Sequence, residues 1–543
     1  MALTKSAFAI LFAAGSLAAP CPQSQSQSQS QSQASSSSEP SEFTANPSIG
    51  GGGSTYTDSP RFRVYGATGT QADTTLQLLE GAYTCFVTGL GWRSHGLSYN
   101  TDSDTSDVWY KENVYAVSSL DGGAAGVMHS DYTTGLSWVD VVTTYLTDPS
   151  VTVHEYGHAL TYHARNWVDQ TATGAWWETV ANWFADTYIT SDLCASARES
   201  YGQTTGNSVI DLQKVIGDSF QVIVDGSVGS GNYYQAWPVL TYLTNNPDNY
   251  TGLGRDTMWN LFEQYEIGSN ETPLHTLARL LSSTSVGSVI GRYWARMAYV
   301  DIGHEAAQQA FLDQRNWLSY DNLDSNGNTY TVKSDRQPLY MGANINPLQI
   351  SQAGEISVTV QASQEFTATL AVRSSSGSVR YIDLVDGSGS VTVEDGEEAS
   401  LVVANTPSTV IHEENNAEPN PNSDSSYSPV GNPPFSPPPP PSLSLPLFAL
   451  VFVLVGLGEK TVTVVIPDSV DDIEDRVDDI GVVVLSSPSS RLALSKESNR
   501  SSKFPVGYVV DSISEMVSVA VAASQFVTQV TSVIVCPFSG VFP

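Results

Sequence analysis

The pattern of apolar and polar positions divides the first part of the chain into short strands and longer helices. Alternation predicts strands at residues 61–65, 113–117 and 136–142. Helical spacing predicts helices at about residues 74–90, 151–164 and 175–188, and mostly helical structure between about 211 and 314. The apolar face of the first helix consists of Leu76, Leu79, Ala82, Tyr83 and Phe86. Gly122, Gly123 and Gly126 lie between two predicted strands and are interpreted as breaks.

The pattern changes to strands after about residue 317. Short alternating segments follow one another at regular spacing, at residues 356–360, 366–372, 380–385, 390–393 and 401–403. They predict a small antiparallel sandwich that is short for one, so that strands are either missing or come from elsewhere. Asn326-Gly327 predicts a hairpin turn. The alternative is part of a calcium-binding loop, but Lys333 stands where that loop needs its bidentate glutamate.

The two ends of the chain have no pattern typical of a packed domain. Residues 1–19 combine Lys5, an apolar stretch and small residues, which predicts a signal peptide, and residues 20–54 predict a low-complexity linker. Residues 409–446 predict a proline-rich linker. The tail at 447–543 has no assignable fold. Its apolar stretch at 447–457 is too short to span a membrane, and either a lipid-anchor signal or translated non-coding sequence would account for the tail.

Composition narrows the class of function. The 543 residues include 56 Asp and Glu against 23 Lys and Arg, a formal charge of −33. Such a chain repels phosphates, so nucleic acid and anionic membrane surfaces are excluded as expected partners. Export places Cys85 and Cys194 in a compartment that permits a disulfide between them. The sequons at Asn249 and Asn270 are candidates for glycosylation, although such triplets also occur by chance.

The strongest chemical signal is the segment His154-Glu155-Tyr156-Gly157-His158. Two histidines four positions apart lie on one face of a helix, at the spacing that a tetrahedral Zn²⁺ requires. Glu178 follows twenty residues later on the second predicted helix. Two imidazoles, one carboxylate and an open position are typical of a hydrolytic zinc site. The alternative is a surface helix whose histidines bind nothing, but the chain has only eight histidines.

This spacing resembles the gluzincin clan of zinc peptidases, which includes the thermolysin-like enzymes. The metzincin pattern does not fit, because Thr161 and Ala164 occupy the places of its Gly and His. The resemblance implies one Zn²⁺ per chain, held by His154, His158 and Glu178. It implies Glu155 as the general base, and protein or peptide substrates.

The resemblance also suggests residues around the ligands. In the clan an Asp often follows the ligand Glu by four positions and orients a ligand histidine. Here Asn182 stands in that place and Asp186 follows one turn later. Tyr234 is the candidate donor to the oxyanion, with Tyr233 and His275 as alternatives. A tyrosine in an aromatic helix is, however, more often part of the core. His163 is expected at the surface, and Trp176, Trp177 and Trp183 are expected to pack around the site.

The expected fold class is α+β. Residues 55–316 would form a zincin-like catalytic domain, with a small sheet and the active-site helix followed by a helical subdomain. Residues 317–408 would form a small all-β domain. Residues 55–405 also resemble an uncharacterised family of secreted fungal proteins, on the stretches 176–183 and 233–238. That resemblance implies export.

The expected function is that of a secreted, extracellular zinc metallopeptidase, with no membrane span. Two alternatives stay open. One is a catalytically inert wall or surface protein with a zincin fold. The other is a zinc hydrolase that acts on bonds other than peptides. The sequence gives no indication of the oligomeric state.

Overall fold

A five-stranded sheet forms the first half of the fold. The computed structural model describes residues 39–101, 108–165, 175–221, 234–266, 269, 271–412 and 450–455. The strands are β1 (Tyr56–Asp58), β2 (Phe62–Tyr65), β3 (Glu112–Val117), β4 (Gly126–Asp131) and β5 (Leu136–Val142). Their order in the sheet is β1-β2-β3-β5-β4. β2, β3 and β5 run parallel, and the outer strands β1 and β4 are antiparallel to their neighbours.

Helices cover one face of this sheet and continue into a helical region. They are α1 (Gly69–Tyr83), α2 (Pro149–Ala164), α3 (Ala175–Thr190), α4 (Ala195–Ser200), α5 (Pro238–Asn245), α6 (Thr257–Glu263), α7 (Pro273–Leu280), α8 (Val286–Met297) and α9 (Glu305–Gln314). α1 begins earlier than predicted and passes into a π-helical turn at Thr84–Gly89. Its predicted apolar face is buried. Within the described part of the chain, no helix combines the length and apolar content needed to cross a lipid bilayer.

Strand β4 is absent from the sequence prediction. Gly122 and Gly123 form a turn with positive φ, but Gly126 begins the strand rather than breaking it. All six β4 residues are half-buried, so the strand lacks the alternation of buried and exposed positions that reveals the others. It forms an edge of the sheet.

The predicted low-complexity linker at 20–54 extends too far. Residues 39–54 pack on the domain, where Phe43 is buried against Tyr83 and Trp109. Thr44 pairs with Tyr110 in an isolated bridge. The side-chain amide of Asn113 donates to the carbonyls of Asn46 and Ile49. A few apolar side chains in a polar stretch are enough to attach it, and average composition conceals them.

The second half is a two-sheet sandwich. Its strands are β6 (Leu323–Asn326), β7 (Thr329–Val332), β8 (Ala343–Pro347), β9 (Gly354–Ala362), β10 (Phe366–Arg373), β11 (Val379–Asp383), β12 (Ser388–Val393), β13 (Glu398–Asn405) and β14 (Leu450–Val455). The sheet orders are β11-β10-β13-β8 and β12-β9-β14-β7-β6. Asn326 pairs with Thr329 across a two-residue loop, which confirms the predicted hairpin.

A strand from the tail completes the second sheet. β14 lies between β9 and β7 and is antiparallel to both. It belongs to the stretch 447–457, for which the sequence assigns no fold, and it supplies a strand that the sandwich prediction lacked. Residues 456–543 fall outside the described residues.

The helical region packs on the sheet β11-β10-β13-β8 of the sandwich, and the two share an apolar cluster. α8 packs on β10 and β13. Gly291 permits the approach, because a Cβ there would lie 2.1 Å from Oγ1 of Thr367. Trp294, Ala371 and Val402 belong to the same apolar cluster as the residues under the first sheet. The fold is therefore α+β. One apolar cluster continues across the expected boundary near residue 317, while the sandwich also has clusters of its own, such as that of Val358, Leu370 and Leu401.

Cys85 and Cys194 form a disulfide that joins the turn after α1 to the segment before α4. The two cysteines are 109 residues apart in sequence. Closing a loop of that length restricts the unfolded chain and stabilises the fold by about 4–5 kcal/mol in the chain-entropy account. Of the predicted glycosylation sites, Asn249 lies exposed in a turn, whereas Asn270 falls outside the described residues.

A buried polar network attaches α2 to the sheet. Ser137 Oγ lies 2.8 and 2.9 Å from the carboxyl oxygens of Glu112 and 2.9 Å from Nε2 of His163. Nδ1 of His163 donates to the carbonyl of Leu97. His163 is fully buried, so its expected place at the surface is wrong. His163 lies two helical turns after Tyr156, on the face of α2 that meets the sheet. The polar side chain of His163 gives no indication of this buried position.

The network favours an uncharged carboxyl group. The hydroxyl of Ser137 can donate to only one of its two neighbours, Glu112 and His163. The other neighbour must therefore carry a proton and donate it to Ser137. Burial raises the pKa of Glu112 to about 8, although the hydrogen bond with Ser137 opposes the shift. Burial lowers the pKa of His163 well below its usual range. Glu112 therefore retains its proton at neutral pH.

Glu112→Gln tests this assignment. Because the folded pKa of Glu112 exceeds its unfolded value of 4.5, folding takes up a proton and the stabilisation is lost as pH rises from about 4.5 to about 8. We expect the free energy of unfolding of the wild type to fall across this window by roughly 3–5 kcal/mol more than that of Glu112→Gln. Denaturant titrations between pH 5 and 9 measure it, with the exposed Glu199→Gln as control. Parallel pH profiles for wild type and Glu112→Gln would contradict the prediction.

Candidate metal centre

Helix α2 carries the H-E-x-x-H segment and has well-defined ends. It begins after Asp148, whose carboxylate accepts a hydrogen bond from the backbone N–H of Ser150 at 2.9 Å, and Pro149 occupies the first turn. It ends at Arg165, which has a φ of +68°. His154, Glu155 and His158 are all buried.

Helix α3 brings the carboxylate to these histidines. Oε2 of Glu178 lies 3.0 Å from Nε2 of His154 and 3.4 Å from Nε2 of His158. The two Nε2 atoms are 3.2 Å apart. Gly157 permits the approach, because a Cβ there would lie 2.9 Å from Cβ of Phe184 on α3. The structure thus brings together the three residues that the sequence predicts as ligands.

The donor set fits a zinc ion. The ligand atoms of His154, His158 and Glu178 all lie within 4.8 Å of one another, and no other such group of three occurs in the described part of the chain. Two imidazole nitrogens that face each other at 3.2 Å leave one lone pair unsatisfied unless a proton or a cation lies between them. Two imidazoles and one carboxylate are the protein ligands of many catalytic zinc sites.

Burial and proximity set the charges of the cluster. Burial alone would raise the pKa of Glu178, but hydrogen bonds from His154 and His158 outweigh it and hold that pKa far below its usual range. Burial would lower the pKa of His154, whereas Glu178, Glu155 and Asn182 together raise it. The cluster therefore holds a carboxylate anion beside two imidazoles, which is an environment that attracts a cation.

Glu155 lies beneath the edge strand β4. A Cβ at Gly126 would lie 2.6 Å from Cγ and 2.9 Å from Oε1 of Glu155, so only glycine leaves room for this carboxylate. Glu155 is 6% exposed. Gly126 was not predicted as a residue of the site, because a glycine between two predicted strands is ordinarily a turn residue.

Asn182 orients His154, in agreement with its expected place. Its Oδ1 lies 2.8 Å from Nδ1 of His154, and its Nδ2 donates to the carbonyl of Tyr234 at 2.6 Å. Because that carbonyl can only accept, Oδ1 of Asn182 is left to accept from Nδ1–H of His154. When His154 is neutral, its Nε2 therefore carries the lone pair that faces the centre.

Asp186 is not a partner of the ligands, contrary to expectation. It lies two turns beyond Glu178, about 12 Å along α3. Its Oδ2 is 2.5 Å from Nε2 of His304, and its Oδ1 accepts from Ser208 and from the backbone N–H of Val209. Asp186 therefore connects α3 to the start of α9 and to the segment near residue 208.

Tyr234 is connected to the centre through Asn182. Its backbone carbonyl holds Asn182, and its side chain is 38% exposed. Tyr233 falls outside the described residues. Nδ1 of His275 bonds with Thr272 in the cap of α7, and its ring contacts His412. The role of Tyr234 as an oxyanion donor stays a prediction.

Comparison with known proteins gives a family without an assigned activity. Residues 53–427 match the family of unknown function DUF6055. The chain belongs to DUF6055. The match includes both helices of the metal centre and the strands β1–β13 of this DUF6055 member, whereas β14 lies outside it. No curated protein matches the sequence.

Asn182→Ala tests the orientation of His154. Removing the acceptor frees the imidazole, so we expect Zn²⁺ affinity to fall by about 10- to 100-fold. Competition with a chromophoric chelator measures the affinity. Asn405→Ala is the control, because Asn405 is also half-buried and donates to a backbone carbonyl, that of Pro338. Equal affinities for wild type and Asn182→Ala would contradict the proposed contact.

Proposed function

We propose that this protein is a secreted zinc metallopeptidase of gluzincin type, with a zincin-like catalytic half. The observation that carries the proposal is the convergence of His154, His158 and Glu178, with the buried carboxylate of Glu155 on the adjoining turn. This arrangement agrees with the resemblance stated above for the same residues. One Zn²⁺ per chain is the proposed cofactor.

Four residues of the chain would take part in hydrolysis. His154, His158 and Glu178 would hold the ion. When bound, Zn²⁺ lowers the pKa of water and polarises a carbonyl group. Glu155 would accept a proton from the attacking water and return it to the leaving amine. Gly126 leaves room for this carboxylate under β4, next to the helix that carries both histidines.

The edge of β4 supports a peptide as the substrate. The carbonyl of Ala125 accepts from the N–H of Val142, so alternate residues from Ala125 onward bond to β5. Gly126, Met128 and Ser130 therefore direct their backbone N–H and C=O groups away from the sheet. An extended peptide can pair with such an edge. Because Gly126 lies over Glu155, the paired peptide would pass beside the centre.

The proposal of an extracellular location rests on the amino-terminal sequence and the disulfide. Residues 1–19 have the pattern of a signal peptide, and a structural disulfide such as Cys85–Cys194 is typical of exported proteins. The net charge of −33 suits a protein that acts in solution rather than on an anionic surface.

An inert wall or surface protein with the same fold is the second candidate. A metal-binding protein without catalysis needs the three ligands but has no use for Glu155. Keeping a carboxylate buried costs free energy, which favours the enzyme. A zinc hydrolase of non-peptide bonds would share every ligand, and only the strand edge favours peptides.

Glu155→Gln separates the enzyme from the inert protein. Glutamine keeps the shape and hydrogen bonds of glutamate but is not a base, so we expect full zinc content and a fall in hydrolysis of roughly two or more orders of magnitude. Cleavage of a peptide library at equal zinc occupancy measures it. Glu112→Gln is the matched control, since it also removes a buried carboxyl group, away from the ligands.

Two outcomes would overturn the proposal. Equal hydrolysis by wild type and Glu155→Gln would show that Glu155 is not the base. A zinc-loaded wild type that cleaves no peptide across a broad pH range would favour the inert protein.

A further inference from the structure

The two histidines of the centre are held in different ways. Asn182 fixes His154 through its Nδ1 atom. Nδ1 of His158 is buried and has no hydrogen-bond partner among the residues that the structure describes. A histidine that binds a metal through one nitrogen is ordinarily oriented by a hydrogen bond to the other. The orientation of His158 therefore needs another source.

Trp177 provides a contact with this imidazole. The indole of Trp177 stacks on the ring of His158, with centroids 4.8 Å apart and an angle of 18° between the planes. Trp177 directly precedes Glu178 on α3, so one helical turn places both the carboxylate and the stacking ring. A rotation about Cβ–Cγ that tilted the imidazole out of its present plane would move Nε2 away from Glu178 and would also break the stack.

We propose that Trp177 is a positioning residue, which holds the imidazole of His158 in its metal-binding orientation and strengthens cation binding. This inference rests on the proposed zinc site. An imidazole that holds a cation becomes electron-poor, and the face of an indole is electron-rich. The stack is therefore stronger in the loaded form than in the empty form, and the difference between the two adds to metal affinity.

The fold contains a matched contact away from the centre. Trp138 stacks on His129 with centroids 4.9 Å apart and an interplanar angle of 11°. Both tryptophans are half-buried. His129 pairs with Trp138 across β4 and β5 and is not one of the three clustered ligands. Trp138→Ala therefore removes an equivalent stack and leaves the centre intact.

The first experiment measures Zn²⁺ affinity of the full chain by chelator competition. We expect Trp177→Ala to weaken binding about tenfold, at the lower end of effects from residues that orient ligands. Trp177→Phe should restore most of the loss, because phenylalanine also stacks. Trp138→Ala should stay within about twofold of the wild type, because the ring that Trp138 stacks on, that of His129, is not one of the three ligands.

The second experiment detects the stacked indole by ultraviolet spectroscopy. Addition of Zn²⁺ should perturb the near-ultraviolet absorption of an indole in the wild type. The difference spectrum should disappear in Trp177→Phe and persist in Trp138→Phe. If Trp177→Ala does not fold, the spectrum of Trp177→Phe decides the question.

Each outcome separates the inference from the proposed function. Unchanged affinity in Trp177→Ala, or equal weakening in Trp138→Ala, would overturn the role of Trp177 while the zinc site stands. A persistent difference spectrum in Trp177→Phe would do the same. A wild type that binds no Zn²⁺ would instead overturn the proposed function itself.

Discussion

The close packing of α2 against α3 is the constraint on which the candidate centre depends. Two histidines on one helix make only part of a metal site, and the third ligand comes from a different helix. Gly157 removes the side chain that would separate the helices at Phe184, so Glu178 reaches both imidazoles. Gly126 does the same for Glu155 on the other side of α2. The absence of side chains at two positions thus determines where two carboxylates lie.

The same helix holds histidines of opposite character. The anion of Glu178 raises the pKa of His154 against the effect of burial. Five residues after the second ligand, His163 has no anion beside it, and burial lowers its pKa. The difference comes from the neighbouring carboxyl group, since Glu112 is held protonated by its own burial. The middle of α2 thus attracts a cation, and its C-terminal end forms a neutral attachment to the sheet.

Sequence reasoning predicted most of what depends on periodicity and spacing. The helices of the centre, three strands of the first sheet and the ligand cluster follow from patterns that local residues set. Strand β4 was missed because both its faces are half-buried, which removes the alternation. The prediction for Asp186 was wrong because sequence spacing places a residue on a helical turn but does not show which side chain it contacts. In the structure that side chain is His304. Trp177 was expected near the site, but stacking on a particular ring depends on packing between helices.

The Cys85–Cys194 disulfide encloses every residue of the centre. His154, Glu155, His158, Glu178 and Asn182 all lie between the two cysteines, as does the edge strand over Glu155. A single break of the backbone anywhere in that interval would leave both pieces covalently joined. If a peptidase cleaved the backbone between Cys85 and Cys194, the disulfide would keep the two fragments together. Reduction would turn the same cleavage into the separation of two chains.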